Sequence, residues 1–407
     1  MPRQDANTKY ILLVGDGMGD YPLPELEGKT PLEVSRTPNM DRIAACRIGA
    51  AKTIPKGMDP GSDVANLSLL GYDPAVYHTG RGPFEAASMG VALAPDDVAF
   101  RMNLVTLDRR SNREIIMKSH SSGDITTEEG RAIVDTLSRE MHLPGIRIYP
   151  GVAYRHLMVW PRGKTALHTI PPHDVLDRDM GPYLNSDEDN PVPGFIRLSW
   201  DILEDHPVNR ERARAGRMAA NSIWPWGQGR KPALSAFEEK YGLKGGVISA
   251  VDLLKGIGVS CGLEPIHVEG ATGYLDTNYA GKARRALESL ERLDFMFVHV
   301  EAPDEASHSG NIEEKIQAIE AFDELVVGAV MEGLSRFDDF RIMVAGDHLT
   351  PIPVRTHTDE PTPFAWASRA ELAAGKSAPG FTESAAMASG LLLEQGHRLM
   401  DMFLGND

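Results

Sequence analysis

Asp304 and His308 are the pair of residues whose types and spacing most strongly suggest chemistry in this sequence. They lie four positions apart in Ala-Pro-Asp-Glu-Ala-Ser-His, and at that spacing two side chains leave the same face of a helix. One metal ion could bind both, although a capped helix start followed by a surface histidine has the same pattern. Asp347, His348 and His357 follow later in the chain, and their presence favours the metal interpretation.

Asp16 belongs to the same candidate set, because it also follows an apolar segment. The apolar runs 9–15, 294–300 and 340–345 read as buried strands, and each is followed by acidic or imidazole groups. Residues 311–335 carry apolar side chains at helical spacing, so strand, helix and strand predict a parallel sheet. Ligands of such sheets bind outside the carboxyl ends of the strands, where residues distant in sequence can meet.

The ligand types narrow the choice of metal. Ca²⁺ prefers oxygen ligands alone, whereas ions such as Mn²⁺ and Zn²⁺ accept carboxylate and imidazole together. The candidate set is large enough for two ions. A two-metal site can position a phosphoryl group, activate a nucleophile and neutralise developing charge.

Ser62 is the candidate nucleophile for this chemistry. It lies in Asp-Pro-Gly-Ser-Asp before an apolar helical segment, where backbone N–H groups face an anion. A plain N-cap is the commoner role of a serine at a helix start, and these residues alone support both interpretations equally. A neighbouring metal ion would activate the hydroxyl without a histidine base.

Composition excludes several classes of protein. The 407 residues argue for two or three domains, and 42% hydrophobic with 25% charged residues is a globular balance. The formal charge of −16 argues against nucleic acid as the main partner. The two cysteines lack the spacing of a disulfide framework. We therefore expect a cytoplasmic protein that does not associate with a membrane, since we find neither a signal peptide nor a spanning segment.

The middle of the chain differs in amino-acid composition from the rest. Pro and Gly clusters and basic stretches occur there, and the simplest interpretation is an inserted domain. We predict this insert at residues 86–240. Residues 1–85 and 241–407 would then form the metal-binding domain.

Six short motifs, in their order and spacing, resemble the cofactor-independent phosphoglycerate mutases of the archaeal type, a family of the alkaline phosphatase superfamily. The resemblance extends over nearly the whole chain. The motifs are Asp16-Gly-Met-Gly-Asp, Pro60-Gly-Ser-Asp, Gly80-Arg-Gly-Pro, Asp304 to His308, Gly346-Asp-His and His357.

The resemblance implies an α/β fold, with an alkaline-phosphatase-like domain whose mostly parallel sheet is flanked by helices and a smaller inserted α/β domain that helps to grip the substrate. It implies two divalent ions, with Mn²⁺ preferred and Zn²⁺ as the alternative. Ser62 would be the phosphorylated nucleophile. The implied ligands are Asp16, Asp347, His348 and Ser62 for one ion, and Asp304, His308 and His357 for the other.

The activity implied is that of an isomerase of glycolysis and gluconeogenesis. It would interconvert 3-phosphoglycerate and 2-phosphoglycerate through a phosphoserine, without 2,3-bisphosphoglycerate. A small phosphorylated metabolite is thus the expected partner, and the oligomeric state is not predicted. Cationic side chains must hold the phosphate and carboxylate, and Arg is suited to bidentate contacts. The candidates for substrate contact are Arg81, His120, Arg155, Arg230 and Lys231, and a solvated surface charge is the alternative for most of them.

Two features leave other activities open. Asp124 lies where archaeal-type mutases often carry an arginine, and an acid there would repel phosphoglycerate. Residues 171–174, 220–227 and 269–273 resemble a bacterial branch proposed to act as homoserine kinases, which would use ATP on the same metal site. Trp224 and Trp226 could stack on a base, although such residues more often belong to a core. A metal-dependent phosphatase or phosphodiesterase, and a catalytically silent binding protein, are further alternatives.

Overall fold

Thirteen strands and eighteen α-helices lie within the residues that the computed structural model describes, which are 8–141, 145–186, 189–375 and 380–405. The strands are β1 Thr8–Gly15, β2 Ile48–Ala51, β3 Asp97–Arg109, β4 Ile115–Ser119, β5 Arg147–Val152, β6 Arg155–Pro161, β7 Ser222–Arg230, β8 Gly245–Ile248, β9 Glu264–Pro265, β10 Phe295–Val300, β11 Asp339–Gly346, β12 Thr362–Ser368 and β13 Leu392–Leu393.

The helices vary from one turn to four. The α-helices are α1 Pro31–Val34, α2 Pro38–Ala44, α3 Ser62–Leu69, α4 Pro74–Tyr77, α5 Gly82–Ser88, α6 Thr127–Glu140, α7 Gly181–Leu184, α8 Val192–Glu204, α9 Pro207–Arg214, α10 Phe237–Tyr241, α11 Asp252–Ser260, α12 Tyr279–Leu290, α13 Ala302–Ser309, α14 Ile312–Phe322, α15 Ala329–Leu334, α16 Arg369–Ala374, α17 Glu383–Ala388 and α18 Leu399–Leu404. Short 3₁₀-helices occur at Pro24–Leu26, Pro172–Val175 and Gly396–Arg398, and a π-helical turn at Asp323–Gly328. Among the described residues, no helix is long and apolar enough to cross a membrane.

The chain divides into two compact units, one formed by Met1–His78 with Ala233–Asp407 and the other by Thr79–Pro232. The second unit starts earlier and ends earlier than the 86–240 expected for the insert. Packing explains the earlier start, because α5 lies directly on β3: a Cβ on Gly82 would be 2.3 Å from the carbonyl oxygen of Ala99. β7 ends at Arg230, still paired with β3, so the unit closes soon after that strand.

In the described part of the first unit, eight strands form one sheet in the order β13-β2-β12-β11-β1-β10-β8-β9. Only the pairings of β12 with β11 and with β2 are antiparallel. Helices cover both faces. On one face, α12 and α14 pack their apolar side chains against β1, β10 and β11. On the other, Gly258 of α11 lies on Val247 and Phe237 stacks on Phe295. The expected mostly parallel, helix-flanked α/β sheet is confirmed.

The three strands predicted from apolar runs are the central ones. β11, β1 and β10 are neighbours, and each is almost completely buried because helices lie on both of its faces. The helix expected over 311–335 is also present, but its hydrogen bonding changes at the π-helical turn between α14 and α15. Apolar spacing cannot reveal that change, since the buried face continues through it.

The second unit has its own five-stranded sheet, in which the described pairings are all antiparallel. β3 is central and pairs with β4, β6 and β7, while β5 extends the sheet beyond β6. A separate apolar core lies beneath α6 and α8. Trp224 and Trp226 belong to this core, and both are at least 95% buried.

A fully buried ion pair ties together two loops of the first unit's sheet. Nζ of Lys315, on α14, donates to Asp20 Oδ2 at 2.8 Å and to the carbonyl oxygens of Gly19 at 3.1 Å and Thr350 at 3.0 Å. Asp20 also accepts from the backbone N–H of Ile352. This lysine therefore holds the loop after β1 against the loop after β11.

We expect Lys315→Met to lower the free energy of unfolding by about 3–5 kcal/mol, because it leaves the Asp20 carboxylate buried without its cation. Urea unfolding followed by circular dichroism measures this loss. Lys118→Met, which breaks the exposed pair with Asp177, is the matched control and should cost no more than about 1 kcal/mol. An equally small loss for Lys315→Met would contradict the structural role given to the buried pair.

Candidate active site

Strand register brings the predicted acidic residues to one edge of the first unit's sheet. Gly15, the last residue of β1, is paired with Gly346 of β11 and with Val300 of β10. Asp16 and Asp347 immediately follow the first two strands, and α13 begins just beyond the third. The parallel arrangement therefore places these side chains together at the carboxyl ends, as the sequence predicted.

His348 is the centre of the first group of side chains. Its Nε2 lies 3.2 Å from Ser62 Oγ and 3.5 Å from both Asp16 Oδ1 and Asp347 Oδ2. Nδ1 lies 3.2 Å from Thr350 Oγ1, whose own hydrogen is donated to Asp304 Oδ1 at 2.5 Å. Nδ1 must then carry the imidazole proton, which leaves the lone pair of Nε2 directed at the two carboxylates and the serine.

Asp16 has one buried oxygen that accepts no hydrogen bond from the described residues, namely Oδ1. Burial raises the pKa of Asp16 well above its ordinary value, and the nearby carboxylates of Asp347 and Asp304 raise it further. Several carboxylates thus share one buried pocket with an unsatisfied oxygen. A cation is the natural counterpart of such a group.

Asp304, His308 and His357 form the second group. His308 Nε2 is 3.1 Å from Asp304 Oδ2 and 3.1 Å from His357 Nε2, which is itself 3.5 Å from Asp304 Oδ1. Nδ1 of His308 donates to the carbonyl oxygen of Arg355 at 3.0 Å. This hydrogen bond orients the ring so that Nε2 faces the other two side chains.

The charges of this second group are strongly coupled. Although burial alone would raise it, the pKa of Asp304 is held well below its usual range by hydrogen bonds from His308 and His357. Against the effect of burial, the same hydrogen bond raises the pKa of His308 to about 9, and Asp304 also raises the pKa of His357. The protonation states of these three side chains therefore depend on one another.

Two sets of three side chains, drawn from these groups and from His299, have donor atoms close enough together for one divalent ion each. Asp304, His348 and His357 each offer one ligand atom within 4.8 Å of the others, and so do Asp16, His299 and Asp347. Nitrogen and carboxylate oxygen atoms converging in this way are typical ligands of Mn²⁺ and Zn²⁺. His348 lies between the two groups, because it also contacts Asp16 and Asp347.

Ser62 lies at the start of α3, where it is the first helical residue, and Gly61 is the N-cap. Its hydroxyl therefore does not cap the helix; it lies 3.2 Å from His348 Nε2. Asn66, one turn further on, donates from Nδ2 to the carbonyl oxygen of Ser62 and to Asp347 Oδ2, both at 2.8 Å. This amide fixes the serine relative to the acidic group.

Sequence reasoning missed His299, Asn66 and Thr350, which hold the predicted residues in place. His299 is completely buried in β10, with Nε2 2.9 Å from Asp16 Oδ2. Its place in the penultimate position of a predicted strand was the available signal. A histidine inside an apolar run is usually read as core, so the signal was weak.

Three predicted substrate-binding residues lie in a chain of ring and guanidinium contacts in the second unit, which we call the cation–aromatic cluster. The guanidinium of Arg81 lies 5.4 Å from the ring centre of Trp226, and His173 contacts the same ring. His120 lies between His173 and Tyr154. The remaining members are Arg101, 5.3 Å from the Trp226 ring, and Arg155, 5.4 Å from the Tyr154 ring.

Close backbone approach explains the glycines on either side of Arg81. Gly80 has a φ of +129°, and a Cβ there would be 2.1 Å from the carbonyl oxygen of Gln228. A Cβ on Gly82 would be 2.3 Å from the carbonyl oxygen of Ala99 on β3. Only glycine fits at these two points, so the motif holds Arg81 between β7 and β3.

The remaining predicted residues of the second unit lie elsewhere. Arg230 and Lys231 are exposed at the end of β7, where Arg230 reaches the carbonyl oxygen of Gly163 at 3.4 Å. Asp124 is exposed in a turn with a φ of +52°, and its Oδ1 accepts from the Ser121 hydroxyl. The structure does not bring these three into the cation–aromatic cluster.

A mostly parallel α/β sheet with a serine and two carboxylate–imidazole groups at one edge defines the class of metal-dependent phosphoryl-transfer proteins. Residues 44–209 match the family model described as 2,3-bisphosphoglycerate-independent phosphoglycerate mutase, and residues 164–360 match that of type I phosphodiesterase / nucleotide pyrophosphatase. The chain belongs to the 2,3-bisphosphoglycerate-independent phosphoglycerate mutase family, because relatives that carry this name are at least 50% identical to it over at least 88% of its length.

Individual relatives match over nearly their whole length. A protein of Geobacter sulfurreducens named as a probable 2,3-bisphosphoglycerate-independent phosphoglycerate mutase is 50% identical over 97% of this chain and 99% of its own. The phosphoglycerate mutase of Methanosarcina acetivorans is 51% identical over 88% of this chain and 90% of its own. The solved structure of the PH0037 protein from Pyrococcus horikoshii is 31% identical, with a TM-score of 0.80 over 98% of this chain and 97% of that one.

Proposed function

We propose that this protein is an isomerase that interconverts 3-phosphoglycerate and 2-phosphoglycerate through phospho-Ser62, without 2,3-bisphosphoglycerate. The observation that carries the proposal is the placement of Ser62 Oγ 3.2 Å from His348 Nε2, the atom that also lies 3.5 Å from Asp16 and from Asp347. We infer the substrate from membership of the phosphoglycerate mutase family. The reaction is part of glycolysis and gluconeogenesis in proteins that carry this name.

Seven side chains would hold two divalent ions, for which we propose Mn²⁺. They are Asp16, Ser62, Asp347 and His348 for one ion, and Asp304, His308 and His357 for the other. When bound, the ions supply positive charge that neutralises phosphoryl oxygens and favours the ionised Ser62 hydroxyl. The hydrogen bonds at Nδ1 support these roles, because Nδ1 of both His308 and His348 is occupied by a hydrogen bond and Nε2, once it carries no proton, is the ligand atom.

Ser62 would carry the phosphoryl group between two hydroxyls of one glycerate. Its Oγ loses its proton and attacks phosphorus, the bond from phosphorus to the first substrate oxygen breaks, and that oxygen takes up a proton as phosphoserine forms. The other glycerate hydroxyl then loses its proton and attacks phosphorus, the bond from phosphorus to Ser62 Oγ breaks, and Oγ takes up a proton. Backbone N–H groups at the start of α3 would bind the phosphoryl oxygens during both steps.

The substrate's carboxylate and phosphate require cations, and we propose that the cation–aromatic cluster supplies them, with Arg81, His120 and Arg155 as its substrate contacts. Arg81 is suited to this role because its side chain is 29% exposed and, within the described part of the chain, only its Nε is hydrogen-bonded, to Glu85. Arg101 supports this role of Arg81. Nη1 of the buried Arg101 donates to Glu85 Oε1 at 2.7 Å and so holds the carboxylate that Arg81 contacts. Arg230 and Lys231 are proposed on sequence grounds, as exposed cations of the same unit.

We expect Arg81→Met to raise the KM for 3-phosphoglycerate by about 10- to 100-fold, the effect of losing one charge-assisted contact. Arg81→Lys should recover only part of this loss, because lysine lacks the planar fork. Steady-state kinetics on the Mn-loaded protein measures both effects. Arg110→Met, at an exposed arginine bonded to Asp108 and Glu114, should leave KM unchanged; an unchanged KM for Arg81→Met would remove Arg81 from the substrate site.

A parallel assay tests the proposed function. Mn-loaded protein is given 3-phosphoglycerate alone in one reaction, and homoserine with ATP in another. We expect 2-phosphoglycerate in the first without added 2,3-bisphosphoglycerate, and no homoserine phosphate in the second. Homoserine phosphate without 2-phosphoglycerate would place the protein in the kinase branch, and release of inorganic phosphate alone would indicate a phosphatase.

A further inference from the structure

His299 is a fully buried histidine to which neither the proposed ligand set nor the proposed reaction gives a role. It lies in β10, where it is paired with Val14 of β1. Only one further pair, Gly15 with Val300, follows before the pairing of these two strands ends. Asp16 follows β1 directly and its N–H donates to the carbonyl oxygen of Val300 at 2.9 Å. The sheet itself therefore brings the imidazole to Asp16.

The contacts of the ring define its tautomer. Nε2 is 2.9 Å from Asp16 Oδ2, and Nδ1 is 3.3 Å from the hydroxyl of Ser249. A carboxylate that binds a metal ion is ionised and can only accept, so in the metal-binding form of the site Nε2 must donate. In the neutral ring Nδ1 is then an acceptor, and Ser249 donates to it while accepting from the N–H of Val251.

This tautomer is opposite to that of His348. His348 directs a lone pair from Nε2 towards the ligand atoms, whereas His299 directs an N–H at one of them. His299 thereby occupies Oδ2 of Asp16 and leaves Oδ1 as the oxygen without a hydrogen bond among the described residues. Oδ1 is also the oxygen that lies 3.5 Å from His348 Nε2.

The support behind His299 is rigid. Ser249 immediately follows β8, whose register with β10 ends at the pairing of Ile248 with Val298. Nζ of Lys282, which is completely buried on α12, donates to the carbonyl oxygen of His299 at 3.0 Å. Strand pairing, the serine and the lysine together fix both the backbone and the ring.

We propose that His299 is a positioning residue for Asp16: its Nε2–H holds Oδ2 so that Oδ1 alone is presented as a metal ligand. The proposal rests on the metal site of the proposed function. Hydrogen bonds of this kind from the surroundings to a ligating side chain typically alter metal affinity by 10- to 100-fold. His299 acts through Asp16 and does not itself bind the ion.

Two substitutions at position 299, with side chains of nearly equal length, distinguish this role from the alternatives. Glutamine places an amide N–H close to the position of Nε2, whereas methionine fills the same space without a donor. We expect His299→Met to weaken one of the two Mn²⁺ sites by about 10- to 100-fold and His299→Gln to stay within about threefold of the parent. Titration of the metal-free proteins with Mn²⁺, with free Mn²⁺ measured by electron paramagnetic resonance, gives these affinities.

Equal weakening in both variants would overturn the proposal in favour of direct ligation by His299. Unchanged Mn²⁺ affinity in both, with a lower thermal unfolding midpoint, would reduce His299 to a core residue. If His299→Met does not fold, Ser249→Ala replaces it, since loss of the donor at Nδ1 should weaken the same site by several-fold; unchanged affinity in Ser249→Ala would then overturn the proposal.

The titration uses no phosphoglycerate, so its failure is distinct from failure of the proposed function. A parent protein that binds two Mn²⁺ ions without mutase activity would overturn the function and leave the role of His299 standing. Mutase activity together with equal affinities for the Gln and Met variants would overturn the role of His299 alone.

Discussion

Ser62→Ala is expected to abolish mutase turnover while both Mn²⁺ ions stay bound. Removing Oγ removes the atom that would accept the phosphoryl group, and loss of a nucleophile lowers kcat by about 10⁴-fold or more. The carboxylates and imidazoles of the site are untouched, and Asn66 still donates to Asp347 Oδ2. Coupled detection of 2-phosphoglycerate and metal analysis after gel filtration measure the two quantities.

The matched control for this substitution is Ser335→Ala, at an exposed serine whose hydroxyl donates to the nearby carbonyl oxygen of Glu332. It should leave both turnover and metal content unchanged. Turnover by Ser62→Ala within tenfold of the parent would exclude a covalent phosphoserine. Loss of metal in parallel with turnover would instead show that Ser62 acts mainly as a ligand.

Asp304→Asn is expected to have the second largest effect, with loss of one of the two Mn²⁺ ions and a fall in kcat of about 10³-fold or more, because metal stabilisation of a transition state amounts to several kcal/mol. Asp304 is the carboxylate shared by His308 and His357, and it is 96% buried. The asparagine keeps the size and the hydrogen bond from Thr350 but lacks the charge. Metal analysis and the same coupled assay report the outcome.

The matched control for Asp304→Asn is Glu313→Gln, which removes a charge from an exposed position at the start of α14. It should change neither metal content nor kcat. Retention of two Mn²⁺ ions by Asp304→Asn would contradict the proposed second ligand set. A full complement of metal with lost turnover would assign Asp304 a role in the reaction other than ligation.

Local pattern was sufficient to predict much of this site. Buried parallel strands need apolar side chains on both faces, so 9–15, 294–300 and 340–345 stand out, and polar residues directly after them must lie at the carboxyl edge. This reasoning placed Asp16, Asp347 and His348 at the edge where the structure has them. Their roles as ligands remain proposals for the metal titrations to test.

The residues that escaped prediction depend on contacts between distant segments. His299 contacts Asp16 because β10 pairs with β1 in one particular register, and periodicity along either strand does not contain that register. Arg101, which sequence reasoning did not single out, bonds Glu85 because α5 packs on β3. The limits of the second unit depend in the same way on the pairing of β3 with β7, which composition along the chain does not contain.

The most direct test of the central claim is to locate the phosphate on the protein during turnover. Mn-loaded protein is mixed with 3-phosphoglycerate, quenched in acid within a single turnover, digested and analysed by mass spectrometry. We predict a phosphate on Ser62 that forms and decays at rates consistent with kcat. Continued formation of 2-phosphoglycerate with no phosphate on Ser62 at any time would contradict the account.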